Sequence, residues 1–221
     1  MAGEPASGPL ERISDAFGLV LLLVLATYVV ASLNRYEGWG AVLVTTLACT
    51  SAVFALGTSR AKRRTVRVAA VLGLIAIGLS LTDELADHSG FLAAAALTQL
   101  VLLLAATASV LRAVLTESRV NFRTILGAIS VYLIFGLLFT SLYVGVDQLQ
   151  DGPFFDQGGY KTGDYIFFSF TTLTTTGYGN LVPAAQPGKM FAGLEMLLGQ
   201  IFLVTLIAGL VSAWRPRHPS R

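Results

Sequence analysis

The chain has 221 residues, of which 54% are hydrophobic and only 13% are charged. A soluble domain carries about 25% charged residues, so this composition excludes an ordinary soluble protein and indicates a chain that crosses a membrane several times. The formal net charge is +2, and without a basic patch interleaved with aromatic residues it argues against a nucleic-acid partner.

Side chains that carry enzyme or metal chemistry are sparse. Cys49 is the single cysteine, which excludes an intrachain disulfide, and His88 and His218 lie far apart without neighbouring ligands. No Ser/His/Asp, Cys/His or paired-carboxylate arrangement is visible in the sequence. We therefore expect neither an enzyme nor a resident metal or cofactor.

The apolar segments predict an all-α membrane protein. A transmembrane helix needs about 20 mostly apolar residues. Six segments meet this need and predict six transmembrane helices: Phe17–Leu33, Trp39–Gly57, Thr65–Thr82, Phe91–Leu111, Phe122–Val146 and Phe191–Trp214. The first could also be read as a cleaved signal peptide, but acidic residues outnumber basic ones before it, which favours a retained helix.

A seventh apolar segment, Tyr165–Leu173, is too short to cross a bilayer and predicts a re-entrant helix. Asp164 directly before it can cap the start of that helix. With the N-terminus inside, twelve of the fifteen basic residues fall on the cytoplasmic side. The positive-inside rule therefore predicts a multi-pass protein of the cell membrane with both termini in the cytoplasm.

The segment after the short helix carries the strongest functional signal. It reads Thr174-Thr175-Thr176-Gly177-Tyr178-Gly179-Asn180. A bilayer tolerates irregular backbone only where protein buries it or where it lines a water-filled path. A row of backbone carbonyls in such a place can replace the hydration shell of a potassium ion. The alternative is a turn in an outer loop, which the preceding threonines, the short helix, the flanking spans and the outer-face topology argue against.

Through this motif the sequence resembles the potassium channel pore family. The resemblance implies a selectivity filter in which the carbonyls of Thr175, Thr176, Gly177 and Tyr178, with the Thr175 hydroxyl, bind K+ as the permeant ion. Gly177 and Gly179 permit backbone angles barred to other residues. Tyr178 is expected to point away from the axis and to pack against the pore helix.

Support for the filter is expected to differ from that of some family members. Phe167 and Phe168 stand where some members have tryptophans that donate hydrogen bonds, and phenylalanine cannot donate. Thr171 stands where some have a glutamate, and Asn180 where many have an aspartate. Glu195, inside the last span, is interpreted either as a buried anchor behind the filter or as an interfacial carboxylate reaching water.

The last span also holds the expected gate. Gly199 lies twenty residues after Gly179, where the family commonly has a hinge glycine, although packing explains a membrane glycine equally well. Leu203, Ile207 and Val211 repeat every four residues. By analogy they line the inner cavity, the alternative being a face against lipid or another helix.

The fourth span argues against voltage sensing because Phe91–Leu111 contains no arginine or lysine, and voltage acts only on charges within the field. The predicted organisation is a four-helix scaffold over residues 1–119, a pore domain over 120–214 and a short cytoplasmic tail over 215–221. The connection Leu115–Ile125 could dock an anionic lipid at the inner face or be a solvated connector.

These features together predict a voltage-insensitive, potassium-selective channel subunit. One filter segment cannot surround an ion, so four copies in a homotetramer are expected. Two alternatives stay open. One is a cation channel of relaxed selectivity, and the other is a non-conducting regulatory membrane subunit.

Overall fold

The computed structural model describes residues 9–33, 39–59, 61–86, 90–116, 122–157 and 161–213, with the backbone alone described at 9–16, 90, 123 and 210–213. These residues form seven α-helices: α1 (Pro9–Leu33), α2 (Trp39–Thr58), α3 (Arg63–Ala86), α4 (Gly90–Leu115), α5 (Phe122–Leu149), α6 (Thr162–Leu173) and α7 (Gln186–Ala213). Within the described ranges the β-structure is one isolated bridge between Phe155 and Pro183. The prediction of an all-α protein is confirmed for this part of the chain.

Five of these helices are long and apolar enough to cross a membrane, namely α2, α3, α4, α5 and α7. The chain is therefore a multi-pass membrane protein. The apolar part of α1, Phe17–Leu33, is shorter than the length that qualifies, so the sixth span stays a prediction. The 12-residue α6 is the short helix that the sequence predicts before the filter motif, and its re-entrant path also stays a prediction.

The helices extend beyond the apolar segments that predict them, since a helix continues into polar residues at its ends. The prediction Thr65–Thr82 corresponds to α3, which runs from Arg63 to Ala86. At the connection that follows, the Asp83 carboxylate accepts a hydrogen bond from the Leu92 amide at 3.0 Å. This bond satisfies one of the free amides at the start of α4.

Hydroxyl groups inside these apolar helices bond to carbonyls one turn earlier. Thr46, Ser51, Thr107 and Thr140 each donate to the residue four positions before, at 2.7 or 2.8 Å. An unpaired hydroxyl in an apolar setting would cost free energy. This local pairing lets polar residues occupy membrane helices.

The helices pack in two groups that share α5. Each of the helices α1 to α4 packs against the next one in the chain, α2 also packs against α4, and both α1 and α4 pack against α5. Helix α6 lies between α5 and α7 and also contacts α1. The short helix before the filter motif is therefore surrounded by three longer ones from the same chain.

Several predictions fall outside the described residues. They include the Val211 side chain, Trp214, the tail 215–221, the boundary between 119 and 120, and residues 117–121 of the connection Leu115–Ile125.

Candidate functional site

Helix α6 begins three residues earlier than the apolar pattern predicts. It starts at Thr162 rather than Tyr165, and Asp164 is its third residue rather than the residue before it. The Asp164 carboxylate reaches back to accept a hydrogen bond from the Lys161 amide at 3.0 Å. This bond extends the helix over the polar residues Thr162 and Gly163, and the negative charge suits a helix N-terminus.

The far end of α6 is bonded directly to the filter motif. The Thr175 amide donates to the Thr172 carbonyl at 2.9 Å. The amides of Thr176 and Gly177 both donate to the Thr171 carbonyl, at 2.8 and 3.2 Å. Three successive amides of the motif are thus held by carbonyls of the helix that precedes it, so the motif is fixed to α6.

This bonding sets the direction of the carbonyls. In a trans peptide unit the N–H group and the carbonyl of the preceding residue point in opposite directions, and the peptide bonds of the described chain are trans. Because the amides of residues 175–177 point back at α6, the carbonyls of Thr174, Thr175 and Thr176 point away from its end. The motif therefore presents carbonyl oxygens on the side opposite the helix.

The backbone of the motif has a positive φ at every second residue. The φ angles are 57° at Thr175, 51° at Gly177 and 78° at Gly179. The sequence predicts this freedom for the two glycines but not for Thr175, where a left-handed conformation costs about 1–2 kcal/mol. The Thr175 amide bond to α6 and a 2.7 Å bond from its hydroxyl to the Thr174 carbonyl hold that conformation.

Two glycines let α6 approach its neighbours closely. A Cβ atom on Gly136 of α5 would lie 2.6 Å from the Phe170 ring, and one on Gly199 of α7 would lie 2.6 Å from the Leu173 carbonyl oxygen. The same Leu173 carbonyl accepts a hydrogen bond from the Tyr132 hydroxyl of α5 at 3.2 Å. Close packing therefore explains the glycine at position 199, for which the sequence supports packing and a hinge equally well.

Aromatic rings cover α6 on two sides. Phe167 stacks on Tyr178, with ring centroids 5.7 Å apart and an interplanar angle of 13°. Tyr178 thus packs against α6 through Phe167, although 70% of its surface is exposed in the single chain. On another side, the Phe170 ring lies 4.7 Å from that of Tyr28 in α1.

Phe168 is separated from the motif. It is buried in an aromatic cluster behind α6, with Tyr143, Phe154 and Phe155 at centroid distances of 5.1 to 6.1 Å. The Phe154 amide donates to the Asp147 carboxylate at 2.9 Å. The buried ring of Tyr165 lies beside this cluster, 5.2 Å from that of Phe155.

The remaining support candidates have different settings. The Thr171 hydroxyl donates to the Phe168 carbonyl of its own helix at 3.0 Å, so Thr171 meets the motif through its backbone carbonyl. Asn180 is exposed in the single chain.

Glu195 is fully buried against α6. Its exposure is 0%, and its carboxyl oxygens lie 2.6 Å from the Ser169 hydroxyl and 2.5 Å from the Tyr143 hydroxyl. The structure agrees with the interpretation of Glu195 as a buried residue and not with that of an interfacial carboxylate reaching water. The carboxyl group joins α7 to both α5 and α6.

The expected gate residues lie on an open face of α7. Leu203 and Ile207 are exposed in the single chain, and the Val211 side chain lies outside the described part. Across the residues that the structure describes, no group of three or more His, Cys, Asp or Glu side chains could hold a metal ion.

The part of the chain that carries these features is similar to known proteins. Residues 127–215 match a family model described as "Ion channel". Over 81 residues the chain is 32% identical to a protein of Oryza sativa subsp. japonica named "Two pore potassium channel c". The resemblance to the potassium channel pore family is confirmed. This similarity covers 37% of the chain and 17% of the rice protein.

Four residues around this pore segment escape sequence reasoning: Tyr132, Gly136, Tyr143 and Ser169. Each contacts a partner 26 to 52 positions away or across a helix interface, and such contacts leave no local pattern. One signal was available, since a buried carboxyl group such as Glu195 requires hydrogen-bonding partners on the neighbouring helices.

Proposed function

We propose that this chain is a subunit of a potassium-selective channel that conducts K+ passively across the membrane. The observation that carries the proposal is the filter motif itself. Its amides are bonded back to α6 and its φ is positive at Thr175, Gly177 and Gly179. A backbone that turns in this alternating way can direct successive carbonyls to one side, as dehydration of a cation requires.

In this proposal K+ moves between neighbouring sites formed by the carbonyls of Thr175, Thr176, Gly177 and Tyr178 and by the Thr175 hydroxyl. Ions bind at adjacent sites and displace one another. One chain supplies oxygens on one side of the ion, so four chains surround the axis in a homotetramer. The low burial of α7 supports this assembly, because only 17% of its most apolar part is buried in the single chain.

Helix α7 would line the inner half of the path. Leu203 and Ile207 are on its open face, and Val211 continues the same four-residue spacing. Together they form a hydrophobic constriction in the proposed channel. Bending at Gly199 would require separation from the Leu173 carbonyl, which lies where a Cβ atom would be.

The proposed channel is insensitive to voltage. Arg112 in the last turn is the basic residue of α4, so the membrane field has no charge to move at the centre of that helix. A steep conductance–voltage curve in pure lipid bilayers, with several gating charges, would contradict this part. The proposed setting is the cell membrane with both termini in the cytoplasm, and with anionic lipid near the connection between α4 and α5.

Ion flux into liposomes that hold the purified protein tests the proposal, with K+ and Na+ measured in parallel. We expect K+ flux without Na+ flux. Equal flux of both ions would replace strict selectivity with relaxed cation selectivity. Absence of flux from a tetramer under all conditions, with flux restored by a second protein, would favour a non-conducting subunit.

Two glycines provide a matched pair for this assay. A Cβ atom would meet nothing within 4 Å at Gly177 or at Gly193 of α7, but Gly177 has a positive φ. Gly177→Ala is therefore expected to reduce K+ flux through backbone strain. Gly193→Ala is expected to retain it. Loss of flux in both variants would remove the link between flux and the filter backbone.

A further inference from the structure

Four groups on three helices form a buried set that we call the carboxyl network: Gly136 and Tyr143 of α5, Ser169 of α6 and Glu195 of α7. The Ser169 hydroxyl oxygen lies 2.6 Å from Glu195 Oε1 and 2.8 Å from the Gly136 carbonyl oxygen. The Tyr143 hydroxyl lies 2.5 Å from Glu195 Oε2. The network connects the helix that holds the filter motif to both of its long neighbours.

The protons in this network can be counted. A serine hydroxyl has one proton to donate, and a carbonyl oxygen can only accept. Ser169 faces two oxygens at hydrogen-bonding distance, the Gly136 carbonyl and Glu195 Oε1. If Ser169 donates to Gly136, its contact with Oε1 is a hydrogen bond only when the carboxyl group supplies the proton. The two short distances therefore fit a protonated Glu195.

An ionised Glu195 fits less well. It would accept the hydrogen bond from Ser169 and leave the Ser169 lone pairs facing the Gly136 carbonyl oxygen at 2.8 Å. Burial of an ionised carboxylate without a cationic partner is also costly. The groups that face Glu195 in the described chain are hydroxyls, namely Tyr143 and the more distant Tyr132 from α5 and Ser169 from α6.

We propose that Glu195 is a protonated carboxylic acid that positions the pore helix. Its proton is donated to Ser169, Ser169 donates to the Gly136 carbonyl, and Tyr143 donates to the second carboxyl oxygen. Loss of the carboxyl proton at alkaline pH turns the Ser169 hydroxyl toward Glu195 and breaks its bond to the Gly136 carbonyl, which keeps its bond from the Thr140 hydroxyl. This bond between α5 and α6 is then lost less than one turn before the carbonyls of Thr171 and Thr172 that hold the filter amides.

The effect of this release on conduction rests on the proposed function, whereas the location of the proton does not. Glu195 is a positioning residue in this proposal, because it acts on the permeant ion through α6. The two parts are therefore tested by separate readouts on the same protein in lipid.

Infrared spectroscopy tests the location of the proton. At neutral pH the exposed carboxyl groups of the chain are ionised, so a protonated acid gives a carbonyl stretch of its own that shifts in D2O. We expect this band in the wild-type protein and its loss in Glu195→Gln. A wild-type spectrum without the band, or a band that persists in the variant, would overturn the assignment.

The pH dependence of K+ flux tests the positioning role. In the wild-type protein we expect flux to fall over the alkaline range in which the infrared band disappears. A glutamine amide can donate to Ser169 and accept from Tyr143 but cannot ionise in this range. Glu195→Gln is therefore expected to keep more flux than Glu195→Ala and to lose the alkaline fall.

An alkaline fall of the same size in Glu195→Gln would overturn the positioning role. A wild-type protein that conducts at no pH would instead count against the proposed channel function, while the infrared band would still decide the state of Glu195. Folding of each variant is compared through its oligomeric state in detergent, and the Gln variant decides the result if the Ala variant fails to assemble.

Discussion

Helices α5 and α7 lie on either side of α6 and have the same length of 28 residues. Their most apolar parts have similar mean hydropathy, 2.2 and 1.9. They differ in what covers them, because 61% of that part of α5 is buried in the chain against 17% for α7. Hydropathy thus predicts that a helix enters the membrane, but only the packing of the chain reveals which faces are left for lipid or for another copy.

A matched pair of isoleucines gives the largest expected difference between the two helices. Ile134 of α5 is 1% exposed and Ile201 of α7 is 62% exposed. We expect Ile134→Ala to lower the free energy of unfolding of the subunit by about 2–5 kcal/mol, because it leaves a cavity. Ile201→Ala should change it by less than about 0.5 kcal/mol.

Denaturant unfolding in detergent measures both changes, and native mass spectrometry measures the oligomer. In the proposed tetramer, Ile201→Ala weakens the assembly rather than the subunit. Equal losses of subunit stability at the two positions would show that α7 is as well covered as α5.

The next largest loss of stability is expected at the two close-packed glycines, Gly136 of α5 and Gly199 of α7. We expect the substitution in α7 to lower the stability more. At Gly199 a new Cβ atom meets backbone, the Leu173 carbonyl oxygen at 2.6 Å, whereas at Gly136 it meets the far edge of the Phe170 ring. A ring can move more easily than a helix backbone. We expect Gly199→Ala to cost about 1–3 kcal/mol and Gly136→Ala to cost less.

Thermal unfolding of both alanine variants tests that order. Gly193→Ala on α7 is the control, since nothing lies within 4 Å of its Cβ position. A larger loss at Gly136 than at Gly199 would contradict the packing explanation for Gly199.

A smaller effect is expected where α5 bonds to the end of α6. Tyr132→Phe removes the hydroxyl that donates to the Leu173 carbonyl but keeps the ring that stacks on Phe202 of α7 at 6.0 Å. We expect a loss of about 1 kcal/mol from the missing hydrogen bond. Tyr132→Leu, which also removes the ring, should cost more, and an equal loss in both variants would assign the effect to the hydroxyl alone.

The smallest expected change lies on the exposed side of α6. Phe167→Leu removes the stacking on Tyr178, which is worth about 0.5–1.5 kcal/mol and nearer the lower value because Tyr178 is largely exposed in the chain. We expect the K+ flux of this variant to decline with time, while the unfolding temperature changes little. A large fall in the unfolding temperature would instead make Phe167 part of the folded core.

The sequence predicts most of the helices because long apolar segments require internal hydrogen bonding in lipid. It also predicts the short helix before the motif, since a mostly apolar segment of nine residues is too short to cross a bilayer. It does not predict the start of α6 at Thr162, because this depends on the reach of the Asp164 carboxylate back to Lys161. The pattern of apolar residues contains no information about such a bond.

The sequence predicts which segment of the chain forms the candidate site, but not the contacts of this segment with the helices around it. The motif and its glycines are visible in the sequence, whereas the positive φ of Thr175 depends on bonds from α6. Ser169 looks like an ordinary helix serine that would bond within its own helix. Its hydroxyl is instead bonded to Gly136 of α5 and Glu195 of α7, which are 33 and 26 residues away in the sequence.

The contact between Tyr28 and Phe170 has a consequence for the modularity of the chain. The ring of Phe170 lies between Gly136 of α5 and Tyr28 of α1, so the first helix packs directly against α6. A chimera that joins α5–α7 to the N-terminal helices of another protein would have to rebuild that contact. Helices α5–α7 and α1 are therefore expected to be exchanged and engineered together.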